Sequence, residues 1–335
     1  MSAGPARVLE ALRSTDGGPC SGEAISSLLE VSRAQIWKHV ETLRRRGYRI
    51  EGEPGGGYRL TEVPDRLYPE ELAAGLETAW LARRIEYLDT TDSTNRVALE
   101  LGRGGAEHGT TVVAEHQSAG RGRLGRSFFS PAYQNLYTSV VLRPALTTSD
   151  APTLILAAAV AVADAVAATV PDPDAVEIKW PNDVLLGGLK TCGILMEMSA
   201  EATRVGFAVL GIGVNLNVER DELPDEFRHR ATSLRSHRGT PVDRIAFACR
   251  LYGSLEEVMD AHADQGFAAL RSRFESRFRM PGRRVRVVDL HGAVRFGVAR
   301  GITESGALEI DGDDGKRDVV IAGDVTLTPE EEEVA

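Results

Sequence analysis

The sequence predicts a multidomain α+β chain in three folded parts: a winged helix-turn-helix, a central α+β domain and a small β-barrel. Three observations predict it. The first sixty residues read helix, helix, turn, helix and then a hairpin with a glycine-rich tip. The middle mixes helices with strands but lacks regular βαβ repeats, which favours α+β over a doubly wound sheet. The last fifty residues are short strands separated by turn residues. The expected boundaries are residues 1–63, a linker and helix at 64–84, a catalytic domain at 85–278, the β-barrel at 280–327 and an acidic tail at 328–335.

A chain of 335 residues, 42% hydrophobic and 26% charged, has room for several cores and is that of a soluble globular protein. Its net charge of −10 argues against a surface that binds nucleic acid throughout, but allows one small basic module. The three cysteines, Cys20, Cys192 and Cys249, are far apart and give no disulfide or metal-ligand spacing, so a reducing cytoplasm is expected. No signal peptide is read at the start, and the alanine-rich stretch 154–170 is short for a membrane span and carries Asp164. It reads as a buried helix.

In the N-terminal part, a helix over residues 5–13 places Val8, Leu9 and Leu12 on one face. Ser21 caps a second helix over 22–29, and Ser32 caps a third that reaches Arg46 and ends at Gly47. Ile36, Val40 and Leu43 form the third helix's apolar stripe. The strands of the hairpin lie at 48–50 and 58–60. Residues 1–63 hold nine Lys/Arg against eight Asp/Glu, whereas 32–47 hold five basic residues and one acidic. Phosphate contacts need that local concentration. Ser32, Arg33, Gln35 and Lys38 are the candidates for DNA contact at the start of the third helix. The alternative is a charged helix in a module that only supports the fold.

Two prolines, Pro64 and Pro69, mark a boundary. A helix follows over 70–84 with Leu72, Leu76 and Leu81 inward, then a strand at 85–88. Asp89-Thr-Thr-Asp-Ser-Thr-Asn95 opens the next helix with more hydroxyl and carboxylate groups than capping requires, so it can hold a polar ligand head. Between two strands, 108–115 and 135–142, lies Gly120-Arg-Gly-Arg-Leu-Gly-Arg126, three glycines and three arginines in seven residues. Glycines let a backbone approach a ligand closely, and arginines offer forked donors to phosphate or carboxylate. The run reads as an anion-gathering lid, floppy until its anion arrives. Next, Lys179-Trp-Pro-Asn-Asp183 puts a cation, an amide and a carboxylate at a strand mouth, where Asp183 could hold Mg2+ and Lys179 meet phosphate. A strand pair turns through 187–190, and simple alternation would put Lys190, Cys192 and Ile194 on one face.

Together these motifs resemble those of the biotin protein ligases over nearly the whole chain. Asp92-Ser-Thr-Asn95, the glycine–arginine run, Lys179-Trp-Pro-Asn-Asp183, Lys190 with Gly193-Ile-Leu195, and Gly211-Ile-Gly-Val-Asn215 stand in the family's order and spacing. With the helix-turn-helix in front, the chain is similar to the bifunctional ligase and biotin-operon repressor class. The resemblance implies a biotin/lipoate ligase-like central fold and an SH3-like C-terminal domain. It implies ATP, Mg2+ and biotin as reactants and biotinyl-5′-AMP as intermediate. Transfer would go to a lysine of the biotin carboxyl carrier protein of acetyl-CoA carboxylase. An adenylate-bound homodimer would bind operator DNA, and no membrane is involved. It implies biotin or adenylate contacts for Ser93, Thr94, Asn95, Gln117, Arg121, Gly122, Arg123 and Lys190, with Lys190, Arg121 and Arg123 catalytic. Lys179, Asn182, Asn215, Arg126 and Phe128 would face the nucleotide, and Asp183 the metal. The sequence departs from the pattern at Leu124, where a basic residue is common, and at Phe128, where tryptophan is common.

Two other readings stay open. One is a lipoate or octanoyl transferase of the same fold, with Cys192 as acyl carrier. The other is a ligand-sensing repressor without catalysis.

Overall fold

The computed structural model describes residues 3–15, 17–53, 56–289 and 292–327. The expected acidic tail at 328–335 and part of the glycine-rich hairpin tip lie outside the described residues. The chain divides into two compact units, Met1–Glu71 and Leu72–Ala335.

The first unit is built by its apolar stripes. Helices α1 (Ala3–Arg13), α2 (Gly22–Leu29) and α3 (Arg33–Arg45) bury Val8, Leu9, Leu12, Ile25, Ile36, Val40 and Leu43 together. Both expected caps are made: Ser21 Oγ accepts from Ala24 N at 3.0 Å and Ser32 Oγ from Gln35 N at 3.2 Å. The wing is the antiparallel pair β1 (Arg49–Glu53) and β2 (Gly57–Glu62), with Ile50 opposite Leu60. Cys20 extends it by exchanging backbone bonds with Tyr58 at 2.7 and 2.8 Å. Helix α4 (Pro69–Gly75) is half the length expected from the sequence. It stops because the next backbone N–H groups take a different acceptor: the Glu256 carboxylate receives Ala79, Trp80 and Leu81 at 2.6–2.8 Å. Leu81 is still buried.

The second unit centres on a seven-stranded sheet. Its strands are β3 (Ile85–Thr91), β4 (Thr111–Gln117), β5 (Leu136–Leu142), β6 (Val176–Lys179), β7 (Asp183–Leu186), β8 (Leu189–Glu201) and β9 (Arg204–Val214), in the order β3-β4-β5-β9-β8-β7-β6. Only β3–β4 is parallel; the other pairs are antiparallel, so the α+β expectation holds. Helix α5 (Thr94–Arg103) covers one face through Ala98, which packs with Val112, Val141, Phe207 and Val209. Helix α6 (Thr153–Ala167) is apolar all round and correspondingly buried. Short helices α7 (Asp225–Arg228) and α8 (Leu234–Arg238) lead to the long α9 (Arg244–Gln265), and α10 (Arg271–Arg277) ends the domain.

One ion pair is wholly buried beneath this sheet. Arg244, at the start of α9, donates to Glu115 of β4 at 2.8 Å with both side chains 0% exposed. Arg244 also reaches the Asn135 carbonyl at 3.2 Å.

The C-terminal strands β10 (Arg284–Val288), β11 (Val294–Ile302), β12 (Leu308–Gly312), β13 (Arg317–Val320) and β14 (Asp324–Leu327) form an antiparallel sheet in the order β13-β12-β11-β10-β14. Val285, Val287, Ala299, Leu308, Ile310 and Val325 make its core. The last strand, β14, was not read from the sequence. Its first residue, Asp324, and Gly323 just before it reach the site described next.

Candidate active site

A cleft of about 470 Å3 opens over the sheet where β8, β9 and the start of α5 converge. Three glycines shape its floor. Gly193 of β8 and Gly213 of β9 are register partners. A Cβ at 213 would come within 2.6 Å of the Phe128 ring, and one at 193 within 3.4 Å. A Cβ at Gly211 would collide with the amide oxygen of Asn95. The space is therefore made by side chains that are missing. Phe128 lies on this floor and meets Tyr137 edge-on, ring centres 6.4 Å apart. A phenyl ring here needs no partner for an indole N–H.

The start of α5 forms one end of the cleft. Ser93 takes the N-cap position without a side-chain capping bond. The free helical N–H of Thr94 is satisfied by Gln117 Oε1 at 2.9 Å, from the end of β4, and Thr94 Oγ1 lies 3.1 Å from the same oxygen. Asn95 is buried, and both its amide atoms are engaged within the protein: Oδ1 accepts from Ser139 Oγ at 2.7 Å and Nδ2 donates to Glu197 Oε2 at 3.0 Å. Asp92 caps the backbone at Ser93 (2.7 Å) and is held well below the usual carboxylate range by Arg96 beside it.

The glycine–arginine run forms the lip. It is a small closed hairpin. Phe128 N donates to Gly120 O at 2.8 Å, Gly122 N to Arg126 O at 2.7 Å and Arg126 N to Arg123 O at 3.1 Å. Leu124 sits at its tip with φ +55 and its side chain 56% exposed. Each arginine has a protein partner. Arg121 donates to Glu197 at 3.3 Å. Arg123 spans Asn182 Oδ1 (2.9 Å) and the Gly323 carbonyl (3.0 Å), and burial lowers its pKa. Arg126 forks onto the Asp324 carboxylate of β14 at 3.1 and 2.5 Å.

Beside the lip lie the lysines. Lys190 Nζ is 2.7 Å from Asp183 Oδ1, and Lys179 Nζ is 4.0 Å from Asp183 Oδ2. Burial pushes the Lys179 ammonium below its ordinary pKa, with Asp183 opposing. The expected alternation of Lys190, Cys192 and Ile194 is broken. The register between β7 and β8 shifts after Val184, so Lys190 faces Leu185 and Cys192 faces Val184, leaving Thr191 unpaired. This bulge turns Lys190 over Gly193, 3.1 Å from its Cβ position, into the cleft. Cys192 is instead fully buried and its thiol pKa is pushed far up by burial, which disfavours a reactive thiolate. The acyl-carrier reading of Cys192 loses its chemical basis.

The Asp183 carboxylate stands between two ammonium groups, which compete with a metal for it, and its buried Oδ1 makes no hydrogen bond among the described residues.

Ser93, Thr94, Asn95, Gln117, Arg121, Gly122, Arg123, Phe128, Asn182 and Lys190 thus border one cleft. Lys179, Asp183, Arg126 and Asn215 do not border it. Asn215 lies behind β9 and donates to the Thr232 carbonyl at 3.1 Å. Sequence reasoning missed Tyr137, Glu197 and Asp324. Glu197 was within reach: counting alternate positions from Gly193 leads through Leu195 to it. Asp324 lies 198 residues beyond Arg126 and no local signal marks it.

On α3, Arg33 pairs with Glu23 at 2.7 Å at the surface, Gln35 Nε2 lies 3.2 Å from His39 Nε2, and Lys38 is exposed. Trp37, which sequence reasoning passed over, is 54% exposed on the same helix.

Comparison with known proteins agrees with this geometry. Residues 87–215 match the model of the biotin/lipoate A/B protein ligase family, residues 6–59 an HTH domain and residues 282–327 the biotin protein ligase C-terminal domain. The chain is 37% identical over 302 residues to the bifunctional ligase/repressor BirA of Bacillus spizizenii, covering 90% of this chain and 92% of that protein. The chain belongs to the biotin protein ligase family. The ligase is also 32% identical to the bifunctional ligase/repressor BirA of Escherichia coli, over 88% of each chain. It also resembles the biotin protein ligase from Aquifex aeolicus solved with biotin and ATP, at 27% identity and a TM-score of 0.63, covering 73% of this chain and 99% of that one. With its helix-turn-helix domain it falls in the bifunctional ligase and repressor class. Among the described residues no helix is long and apolar enough to cross a membrane.

Proposed function

We propose that this ligase joins biotin to ATP in the cleft, giving biotinyl-5′-AMP and pyrophosphate, and then passes biotin to a lysine of a biotin carboxyl carrier protein. The observation that carries this reading is the convergence of Arg121, Arg123 and Lys190 on a cleft floored by glycines, with a neutral polar helix start at its other end. The ring end of biotin is neutral and polar, and Thr94, Gln117 and Ser93 suit it. Its carboxylate must approach a phosphate that already carries negative charge. Arg121 and Arg123 offset that repulsion as the substrates bind, and Lys190 does so at the point where charge builds.

In the first step a carboxylate oxygen forms a bond to the α-phosphorus and the bond from that phosphorus to the bridging β-oxygen breaks. Both electron pairs belong to the substrates, so no enzyme nucleophile is needed. In the second step an acceptor amine attacks the carbonyl carbon, loses a proton and expels AMP. Lys190 is assigned to the carboxylate and bridging phosphate. Lys179 and Asn182 are assigned to the nucleotide side. Phe128, on the cleft floor, and Arg126 and Asn215, outside the cleft lining, are assigned to the same side. Mg2+ enters as part of the ATP complex and not as a metal held by Asp183.

The helix-turn-helix unit reads operator DNA through Ser32, Arg33, Gln35 and Lys38, as a homodimer favoured by adenylate. That coupling requires the adenylate to bind the dimerising form more tightly.

The test is pyrophosphate release from ATP-Mg2+ with biotin, lipoate or octanoate given separately, on wild type and Lys190→Ala. Release with biotin alone, lost in the variant by roughly a hundredfold or more as for removal of a charge-stabilising donor, is expected. Release with lipoate would move the protein to the neighbouring acid, and none at all would remove the ligase reading.

A further inference from the structure

Glu197 is a carboxylate at the cleft rim that no step above uses. It stands on β8, four residues past Gly193, with its side chain 27% exposed. One oxygen, Oε1, accepts from Arg121 Nη1 at 3.3 Å; the other, Oε2, accepts from Asn95 Nδ2 at 3.0 Å. Beyond Asn95 the bonds continue. Ser139 Oγ stands 2.7 Å from Asn95 Oδ1 and 2.8 Å from Thr94 Oγ1, so its single proton serves one of them at a time. Thr94 Oγ1 is 3.1 Å from Gln117 Oε1, Gln117 Nε2 donates to Ser130 Oγ at 3.0 Å, and Ser130 Oγ donates to the Phe128 carbonyl at 2.9 Å. The route starts at Arg121 and returns to the same loop at Phe128. It passes under the cleft through the residues assigned to biotin.

We propose that Glu197 is a positioning residue of the adenylation reaction, acting through Arg121. The inference rests on the ligase reading above. Arg121 is 52% exposed on a loop with glycine on either side, so its guanidinium has little else to fix its direction. Glu197 holds one Nη from behind, and Arg121 borders the cleft with the rest of its fork. Asn95 in turn fixes Glu197, since a carboxylate that accepts from two elements cannot swing away with either. The stability value of an ion pair this exposed is small, so the function of the contact is direction rather than adhesion. A preset arginine spares the ligand the cost of ordering it.

The experiment is steady-state pyrophosphate release with biotin and ATP-Mg2+ on the full chain. Glu197→Gln keeps the size and still accepts from Asn95, but offers Arg121 no charge. Its melting temperature should match wild type, its KM for biotin should rise about tenfold, and its kcat should change little, the pattern of lost uniform binding. In an Arg121→Gln background, adding Glu197→Gln should change KM no further, because the residue through which it acts is gone. Glu197→Ala, which also releases Asn95, is the second variant and should show the same KM rise if Glu197→Gln folds poorly. Full additivity with Arg121→Gln, an unchanged KM, or a loss confined to melting temperature would overturn the inference while leaving the ligase reading intact. Absence of biotin-dependent release from wild type would overturn the ligase reading, and the inference with it.

Discussion

Lys190 Nζ lies 2.7 Å from Asp183 Oδ1, and a strand bulge at Lys190 and Thr191 is what brings the two together. The sequence motif presents Asp183 as a metal ligand, yet in the folded chain its nearest charges are the two lysines. Asp183→Asn should therefore lower the adenylation rate, by about tenfold, by removing the charge that holds Lys190, an effect of about 1.4 kcal/mol. The Mg2+ concentration for half-maximal rate should stay as in wild type. A titration of pyrophosphate release against Mg2+ checks this, and a shifted Mg2+ requirement would return Asp183 to the metal.

The buried pair of Arg244 and Glu115 makes a different prediction. Both side chains are fully shielded from water, so removing one leaves the other charged and unsolvated. Arg244→Met or Glu115→Gln should each cost about 3–5 kcal/mol of stability, as breaking such pairs does. The double variant should cost clearly less than the sum. Urea melts of all three decide it, and simple additivity would mean that the two groups are not coupled.

A third expectation concerns acid. His262 is buried in α9, 2.8 Å from Thr153 Oγ1, and burial lowers its pKa. His108 and His237 are shifted in the same direction but are exposed, so solvent screens their contribution. His262 resists protonation in the fold at a pH where the unfolded chain has begun to protonate. Below an unfolded value of about 6.5 the unfolded state binds more protons, so stability falls as pH falls. Thermal melts at steps from pH 7.5 to 5.5 should show a declining midpoint, with a shallower decline for His262→Gln. A flat profile would show that these imidazoles titrate alike in both states.

On α3 the exposed Lys38 and the exposed Trp37 should part company in a DNA-binding assay. Lys38→Ala should reduce the salt dependence of duplex binding by about one unit of log–log slope, the signature of one phosphate contact. Trp37→Ala should weaken binding at all salt concentrations without changing the slope, because an indole releases no counterion. The pair of Arg33 with Glu23 does not exclude Arg33 from DNA, since an exposed ion pair holds with at most about 1 kcal/mol. Fluorescence anisotropy on a duplex selected from a random pool by wild-type protein measures all three.

The elements were legible where local chemistry decides them. The serine caps at 21 and 32, the α3 stripe and the break at Gly47 follow from neighbours a few residues apart. The helix expected over 70–84 was misread because Glu256, far along the chain, captures three N–H groups that a helix would use. Lys190 borders the candidate cleft but was expected with the wrong face-mates, since a bulge leaves no mark in a period-two pattern. The glycine–arginine run was read as a lid that is floppy until its anion arrives, and what the run itself does not reveal is where its arginines go. Its glycine content speaks for freedom, while Glu197 and Asp324, both distant in sequence, hold its arginines.

The floor of the cleft has a practical consequence for anyone wishing to retarget this enzyme. Gly193, Gly211 and Gly213 already carry the smallest side chain there is, so no substitution at those positions enlarges the cavity; every change there fills it. Redesign toward bulkier biotin analogues must proceed from the aromatic side chains that line the cleft, Phe128 and Tyr137, which still have volume to give up.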